Sequence, residues 1–405
     1  MKNFDILIIN KGIAGLALAC GLKNYFRIAI IEHKLKTHIN PVSKLLNVKT
    51  SVLINITSAK ILSYLNTWNK NTTYPYNIIS KLEITQNYNT KKIIFNSGHL
   101  GYPELGYISD YNHIYNSLIK EAQKSQNIFF INTKIPNTIN YYKDAALIEI
   151  KNYPIFKVKL VIGSDGINSW TRKNANFPLI FKDKKYYEFH TTIYTEKQHK
   201  NTLRYISHDN SLLILLPLNH TNLSAVFWLL PTNIGIKYFF KNISKEHINS
   251  DLTKICAMLG HCYIYNDIPS YKIFLPRIQY AYKFVQSRLI LIGNAAYTIS
   301  PFPFQDINIE LIEAITLLNY LKKLKKNNKD IGHYTYLKDY EYHKKYQIFK
   351  YFTKLSNIFP LSQRNNYISL YTQNFMFNII QTIPSLKTNI LNQIMGLDVM
   401  PTWLL

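Results

Sequence analysis

Glycine is scarce in this sequence: 13 in 405 residues, less than half the usual share of about 7%. That excludes collagen-like and glycine-rich low-complexity chains, and it makes each remaining glycine worth locating. Cysteine is scarcer. Cys20, Cys256 and Cys262 are odd in number, and none has metal-ligand spacing with a histidine. A disulfide framework and a zinc module are therefore not expected, no metal is, and a reduced, cytoplasmic compartment fits. Acidic residues are few, 23 against 48 Lys and Arg, leaving a net charge of +25. No apolar run reaches the roughly 18 residues that a bilayer span needs.

What remains is globular material: 47% apolar and 18% charged residues, in a chain longer than one typical domain. Asn, Ile, Lys and Tyr abound, with 32 Tyr against 4 Trp. All four have A/T-rich codons, so coding drift explains the bias. The basic residues are scattered, which leaves two readings open: a solvated surface produced by drift, or a preference for an anionic membrane surface or ligand. No nucleic-acid-binding signature accompanies the charge, so no nucleic acid partner is expected.

The first chemistry-bearing stretch is FDILIINKGIAGLALACGL, Phe4 to Leu22. Asp5 and Lys11 interrupt it, which argues against a secretory h-region. RIAIIEHK, a second β-type run, follows and carries Glu32, twenty residues after Gly12. A strand, a glycine turn, a helix and a second strand ending in a carboxylate make a dinucleotide-binding βαβ unit. In that unit the acid accepts from ribose hydroxyls and the helix N-terminus faces a pyrophosphate. Gly12 would let backbone approach phosphate, and Gly15 would let helix pack on strand. Asn10 stands where a tight-turn glycine is usual, and Asn tolerates positive φ better than most residues.

Two further stretches read as strand, polar turn and helix. LVIGSDGINSWTR, Leu160 to Arg172, delivers Gly163, Asp165 and Gly166 to a turn, with a helix cap near Asn168 or Ser169. SRLILIGNAAYTISPFPFQDINIELIEAITLLNYL, Ser287 to Leu321, runs from a strand into Gly293-Asn294, a proline-bearing loop and a long helix from about Ile307. Such turns aim backbone N–H groups at anionic or polar ligands.

Together, and in this order, the three stretches resemble the class A flavoprotein aromatic hydroxylases, with their glycine turn, DG motif and GD motif. Within that class the chain is similar to the ubiquinone-pathway hydroxylases. The likeness runs nearly end to end, through GYPELGYISDYNHIYNSLIKEAQ, NSLLILLPL, KDIGHYTYLKDYE and the final MGLDVMPTWLL. The resemblance implies an α/β fold: a Rossmann-like FAD-binding domain of the para-hydroxybenzoate hydroxylase type, an inserted α+β substrate domain built on a β-sheet, and a helical C-terminus. The FAD domain would be discontinuous, about residues 1–70, 101–178 and 272–330. The sheet would take 71–100 and 179–271, and the helical region 331–405. By position, Gly12 and Gly15 would face the FAD pyrophosphate, Glu32 the adenosine ribose, and Lys49 would sit near the cofactor. Asp165 would organise the pyrophosphate region. Gly293 and Asn294 would hold the ribityl chain, and Pro301 to Asn308, with Gln305 among them, would lie along the isoalloxazine ring.

The chain departs from the pattern at Asn10, at Asn294 for an aspartate, and at Tyr297 and Ser300 for histidines. Asp110-Tyr111 replace a Glu-Asn pair, and Phe304-Gln305-Asp306 a Gly-Gln-Gly. The implied activity is hydroxylation of a polyprenylphenol ring in ubiquinone biosynthesis, with FAD as cofactor, NAD(P)H and O2 as co-substrates and a flavin hydroperoxide as oxidant. Contact with the inner face of the cytoplasmic membrane and with a biosynthetic protein complex is implied too. No residue offers a nucleophile or acid–base dyad, which suits an enzyme whose cofactor carries the chemistry. A non-catalytic scaffold subunit and a flavin reductase or oxidase are the competing readings. KLEITQNYNTKKIIFN and SLLILLPLNHTNLSAVFWLLP each predict a strand pair. The helical pattern near the C-terminus serves either core packing or an amphipathic outer surface.

Overall fold

In the computed structural model the described residues are 1–33, 51–68, 76–86, 91–133, 136–182, 186–208, 210–240, 243–265, 271–298, 306–358, 380, 382–401 and 403. The chain begins with strand β1 (Lys2–Ile9), helix α1 (Ile13–Leu22) and β2 (Ile28–His33). Next come β3 (Ser51–Asn55), α2 (Ile56–Tyr64), β4 (Asn77–Ile79), β5 (Lys81–Gln86), β6 (Lys91–Asn96), β7 (Gly106–Asp110) and α3 (Tyr111–Gln123). They are followed by β8 (Ile128–Thr133), β9 (Thr138–Tyr141), β10 (Ala146–Glu149), β11 (Phe156–Gly163) and α4 (Trp170–Asn174). The middle of the chain supplies β12 (Leu179–Lys182), β13 (Tyr186–Thr195), β14 (Thr202–His208), β15 (Ser211–Pro217), β16 (Leu223–Pro231), α5 (Thr232–Phe240) and α6 (Lys245–Ile255). After β17 (Cys262–Ile264), β18 (Lys272–Phe274), β19 (Ile278–Ala281), β20 (Val285–Gln286), β21 (Leu289–Leu291) and β22 (Tyr297–Thr298) come α7 (Asp306–Lys326), α8 (Tyr334–Ile358) and α9 (Pro384–Ile394).

The first sheet has the order β20-β21-β11-β1-β2-β8. Its inner strands β21, β11, β1, β2 and β8 are parallel. They read as continuous apolar runs because both faces are buried: Ile6 to Ile9 and Leu160 to Ile162 are almost fully enclosed. Helix α1 is apolar all round for the same reason, lying against α7 and α3. In a doubly wound sheet of this kind the ligand crevice lies beyond the carboxyl ends of the strands. Those ends are Ile9, His33, Gly163 and Leu291.

The second large sheet has the order β17-β13-β16-β15-β14-β5-β6 and contains both strand pairs expected from the alternating stretches. Strand β15 shows why the run SLLILLP contains so little polarity. Leu212, Ile214 and Leu216 join the main core, while Leu213 and Leu215 join a second core under α5 and α6. With period-two side chains, a strand buried on both faces has no polar side to show.

The helical C-terminal region is tied back by a buried guanidinium. Arg288, in the tight turn between β20 and β21 at φ +67°, is 1% exposed. Its Nη1 and Nη2 donate to Asp330 at 2.7 and 2.5 Å, and its Nε donates to the Lys143 carbonyl at 3.0 Å. Removing it strands those acceptors. Arg288→Met should therefore lower stability by about 2–3 kcal/mol, read as a lower denaturant midpoint at unchanged slope.

Candidate functional site

At the carboxyl end of β1 the chain turns through Asn10 at φ +74°. Asn tolerates this left-handed conformation through its short polar side chain. Its Oδ1 accepts from the Lys11 N–H at 2.9 Å, so the turn is made without glycine. Gly12 then caps α1 with no side-chain acceptor, and no acid stands in the first turn. The opening N–H groups of α1 are therefore left for a partner from elsewhere.

The two glycines of this turn answer to Ser164 at the end of β11. A Cβ on Gly12 would lie 2.8 Å from the Ser164 carbonyl oxygen and from its Oγ, and one on Gly15 would lie 2.7 Å from that Oγ and 3.0 Å from Ile8. Close crossing of α1 over the strands accounts for both.

Three loops from distant parts of the chain meet here. The Ser164 N–H donates to the Ile9 carbonyl at 3.1 Å, and the Ile292 N–H donates to the Gly163 carbonyl at 2.9 Å. Arg172, 1% exposed, donates through Nη1 to the Ala295 carbonyl at 2.7 Å and through Nη2 to the Ile167 carbonyl at 2.9 Å. It thus ties the DG loop to the GD loop. Burial holds this guanidinium below its ordinary range, while nearby Asp165 favours its charge.

Glu32, at the end of β2, lies at the crevice, where its Oε2 meets Lys11 Nζ at 2.7 Å. Asp165 is turned inward: its carboxylate accepts from Ser169 Oγ and from the Thr171 N–H and Oγ1, the last two at 2.8 and 3.0 Å. It shapes the loop and the start of α4 through these bonds. Ser169 is the cap, accepting from the Arg172 N–H. Asn308 is fully buried. Its Oδ1 accepts from the Asn55 N–H at 3.1 Å and its Nδ2 donates to the Leu53 carbonyl at 2.8 Å. Both ends of its amide thus bond β3, which anchors the start of α7 to that strand. Lys49, Pro301 and Gln305 lie outside the described residues, as do Ser300 and Phe304.

Around Gly293 and Asn294 the structure adds carboxylates that sequence reading missed. Gly293, at φ +56°, donates its N–H to Glu313 Oε2 at 2.8 Å. The Tyr297 hydroxyl donates to the same oxygen at 3.0 Å, and buried Lys344 Nζ lies 3.8 Å from Oε1. Tyr297, in the place of a histidine, is thus a neutral donor, its phenol pushed far up by burial and by Glu313. Burial depresses the Lys344 ammonium, opposed by Glu313. Glu310, one turn earlier on α7, accepts from Asn294 Nδ2 at 3.0 Å and from the backbone N–H of Ala14 in α1. The available signal was the pair of glutamates three apart inside the apolar pattern of α7.

The residues present fit a flavin dinucleotide in frame: an uncapped helix N-terminus, a carboxylate at the end of β2 and three converging turns. Among the described residues, no cluster of His, Cys, Asp and Glu could hold a metal ion.

The FAD binding domain family matches residues 153–344, which contain both the DG and GD turns. The chain is 21% identical over 458 aligned positions to the mitochondrial ubiquinone biosynthesis monooxygenase COQ6 of Dictyostelium discoideum, covering 96% of this chain and 90% of that protein. It is 23% identical to the 3-demethoxyubiquinol 3-hydroxylase of Escherichia coli, covering 83% and 84%. In fold it is similar to p-nitrophenol 4-monooxygenase from Pseudomonas putida, with TM-score 0.71, 14% identity and 99% of each chain covered. These comparisons support an FAD-dependent enzyme of the aromatic-hydroxylase type, with the NAD(P)H co-substrate typical of such proteins.

Because the Gly12 contact is with backbone, Gly12→Ala should cost about 1–3 kcal/mol in the ligand-free protein. Thermal unfolding without any nucleotide checks this; an unchanged midpoint would mean that only a ligand constrains Gly12.

Proposed function

We propose that this protein is an FAD-dependent monooxygenase of ubiquinone biosynthesis that hydroxylates the aromatic ring of a polyprenylphenol, using NAD(P)H and O2. The observation that carries the reading is the meeting of three turns, at Asn10, Gly163–Ser164 and Gly293–Asn294, at the carboxyl ends of parallel strands. The distant likeness to ubiquinone hydroxylases over most of the chain supports the pathway. Within that group our reading, resting on the quoted segments and above all the final residues and Lys329–Glu341, is a 2-polyprenylphenol hydroxylase.

FAD, when bound, supplies the oxygen chemistry. The chain's residues have the tasks of binding, orienting and excluding water. Glu32 holds the ribose hydroxyls, exchanging part of its contact with Lys11. The N–H groups at the start of α1 face the phosphates. Lys49, Pro301 and Gln305 belong to the same proposed site. Asp165 and Arg172 keep the DG and GD turns in register behind it.

An aromatic-walled cavity of about 520 Å3 lies between α2 and the segment before β7, lined in part by Ile56, Tyr64, Trp68, Tyr102 and Tyr107. Its size suits a lipophilic ring with the first part of its tail, and Trp403 stacks edge-on against Tyr64 at 4.7 Å. Among the described residues no helix is long and apolar enough to cross a membrane. A polyprenyl substrate must therefore be met at a bilayer surface or handed over by a partner in a biosynthetic complex, and the charge of +25 favours an anionic surface.

Turnover tests the reading. Purified protein given FAD, NADH or NADPH, O2 and a polyprenylphenol should yield the ring-hydroxylated product by mass spectrometry. A colourless protein that refuses FAD, or reductant oxidation ending only in hydrogen peroxide, would contradict it. Glu32→Gln should weaken FAD about tenfold, roughly 1.4 kcal/mol, and leave binding of riboflavin 5′-phosphate, which lacks the adenosine, unchanged.

A further inference from the structure

A dinucleotide's phosphates and a protein carboxylate want the same donors. In this chain the carboxylate already stands on one of them. Glu310 reaches from α7 to accept the N–H of Ala14, the second residue of α1. Its Oε1 also takes the Asn294 amide at 3.0 Å and would lie 3.3 Å from a Cβ on Gly293. Helix α1 has no capping side chain and no acid in its first turn, so Glu310 supplies from another helix the acceptor that its N-terminus lacks. The hydrogen bonds from Ala14 and Asn294 favour its charge, but the titratable groups facing Glu310 do not. Asp306 and Glu313 approach from its own helix. Tyr111 of α3 and Tyr297 of the GD turn bring phenols that stay protonated, both pushed up by burial and by their carboxylate neighbours. The buried ammonium of Lys344 is taken by Glu313.

We propose that Glu310 is an internal stand-in for the phosphates of the dinucleotide, capping α1 in the free protein and holding a proton whenever FAD is seated. The proposal rests on the reading of this crevice as a flavin site. Its chemistry balances simply: one proton passes from solvent to a Glu310 oxygen, and the neutral carboxyl then donates to a phosphate oxygen instead of repelling it. Protonation is within reach, because burial, then Asp306 and Glu313, push this carboxyl up to about 8. Arrival of phosphate raises it further. The sign follows: the bound state holds more proton than the free state, so affinity falls as pH rises through about 8, approaching tenfold per pH unit.

Two measurements on the full chain test this. FAD titrations followed by flavin fluorescence, between about pH 6 and 9, should show this loss in the native protein and none in Glu310→Gln. The two proteins should agree within about threefold at pH 6 and differ more than tenfold at pH 9. Calorimetry of native protein at pH 8, in buffers of different ionisation enthalpy, should show net proton uptake and needs no variant. Without FAD, a raised folded-state value means stability that is full below about 4.5 and lost as pH rises through about 8. Glu310→Gln should flatten that thermal profile too. Unchanged slopes in the variant, or no proton taken up by the native protein, would overturn the proposal while leaving the flavin reading intact. Failure of both proteins to bind FAD at any pH would overturn both.

Discussion

Everything in this crevice depends on the N–H groups at the start of α1, which no side chain of its own N-cap satisfies. A helix must do something with its first backbone donors. Gly12 offers them no cap, and the crossing of α1 over Ser164 leaves no room to add one there. The protein therefore needs an acceptor from outside the helix. The turns at Asn10, Ser164 and Gly293 meet around that position, and Glu310 supplies the acceptor there.

The supporting structure is expensive in buried polarity. Arg172, Glu313, Lys344, Asn308 and Asp165 are all enclosed, and they are held by hydrogen bonds to the converging turns and β3 or, for Lys344, by an ion pair with Glu313. Such groups contribute little net stability when paired and cost several kcal/mol when a partner is removed. Their effect is to fix relative position. The DG and GD turns lie over a hundred residues apart, yet they are held in one register by a guanidinium on a carbonyl.

Local patterns were legible in the sequence. The βαβ unit, the strand–turn–helix of the second and third stretches and the two strand pairs follow from periodicity, whereas the burial of β15 on both faces was not read, and the positive φ at Asn10 suits its side chain. The close packing of helix on strand at Gly15 was legible, and the structure adds Ser164 as the neighbour of both Gly12 and Gly15. What could not be read were the pairings across the chain. Nothing local says that Glu310 reaches Ala14, that Lys344 meets Glu313, or that Asn308 spends its amide on β3, because those distances are set by how α7 packs across α1 and β3. Two glutamates inside an apolar helical stripe were the visible sign that something buried needed charge.

The central claim is that one dinucleotide occupies the crevice at the carboxyl ends of β1, β2, β11 and β21. A crystal structure of the protein grown with saturating FAD tests it most directly. The account predicts phosphate oxygens within hydrogen-bond reach of the Ala14 N–H, ribose hydroxyls on Glu32, and the flavin ring beyond the GD turn. A crevice without density for FAD, its Glu310 still seated on α1, would contradict it.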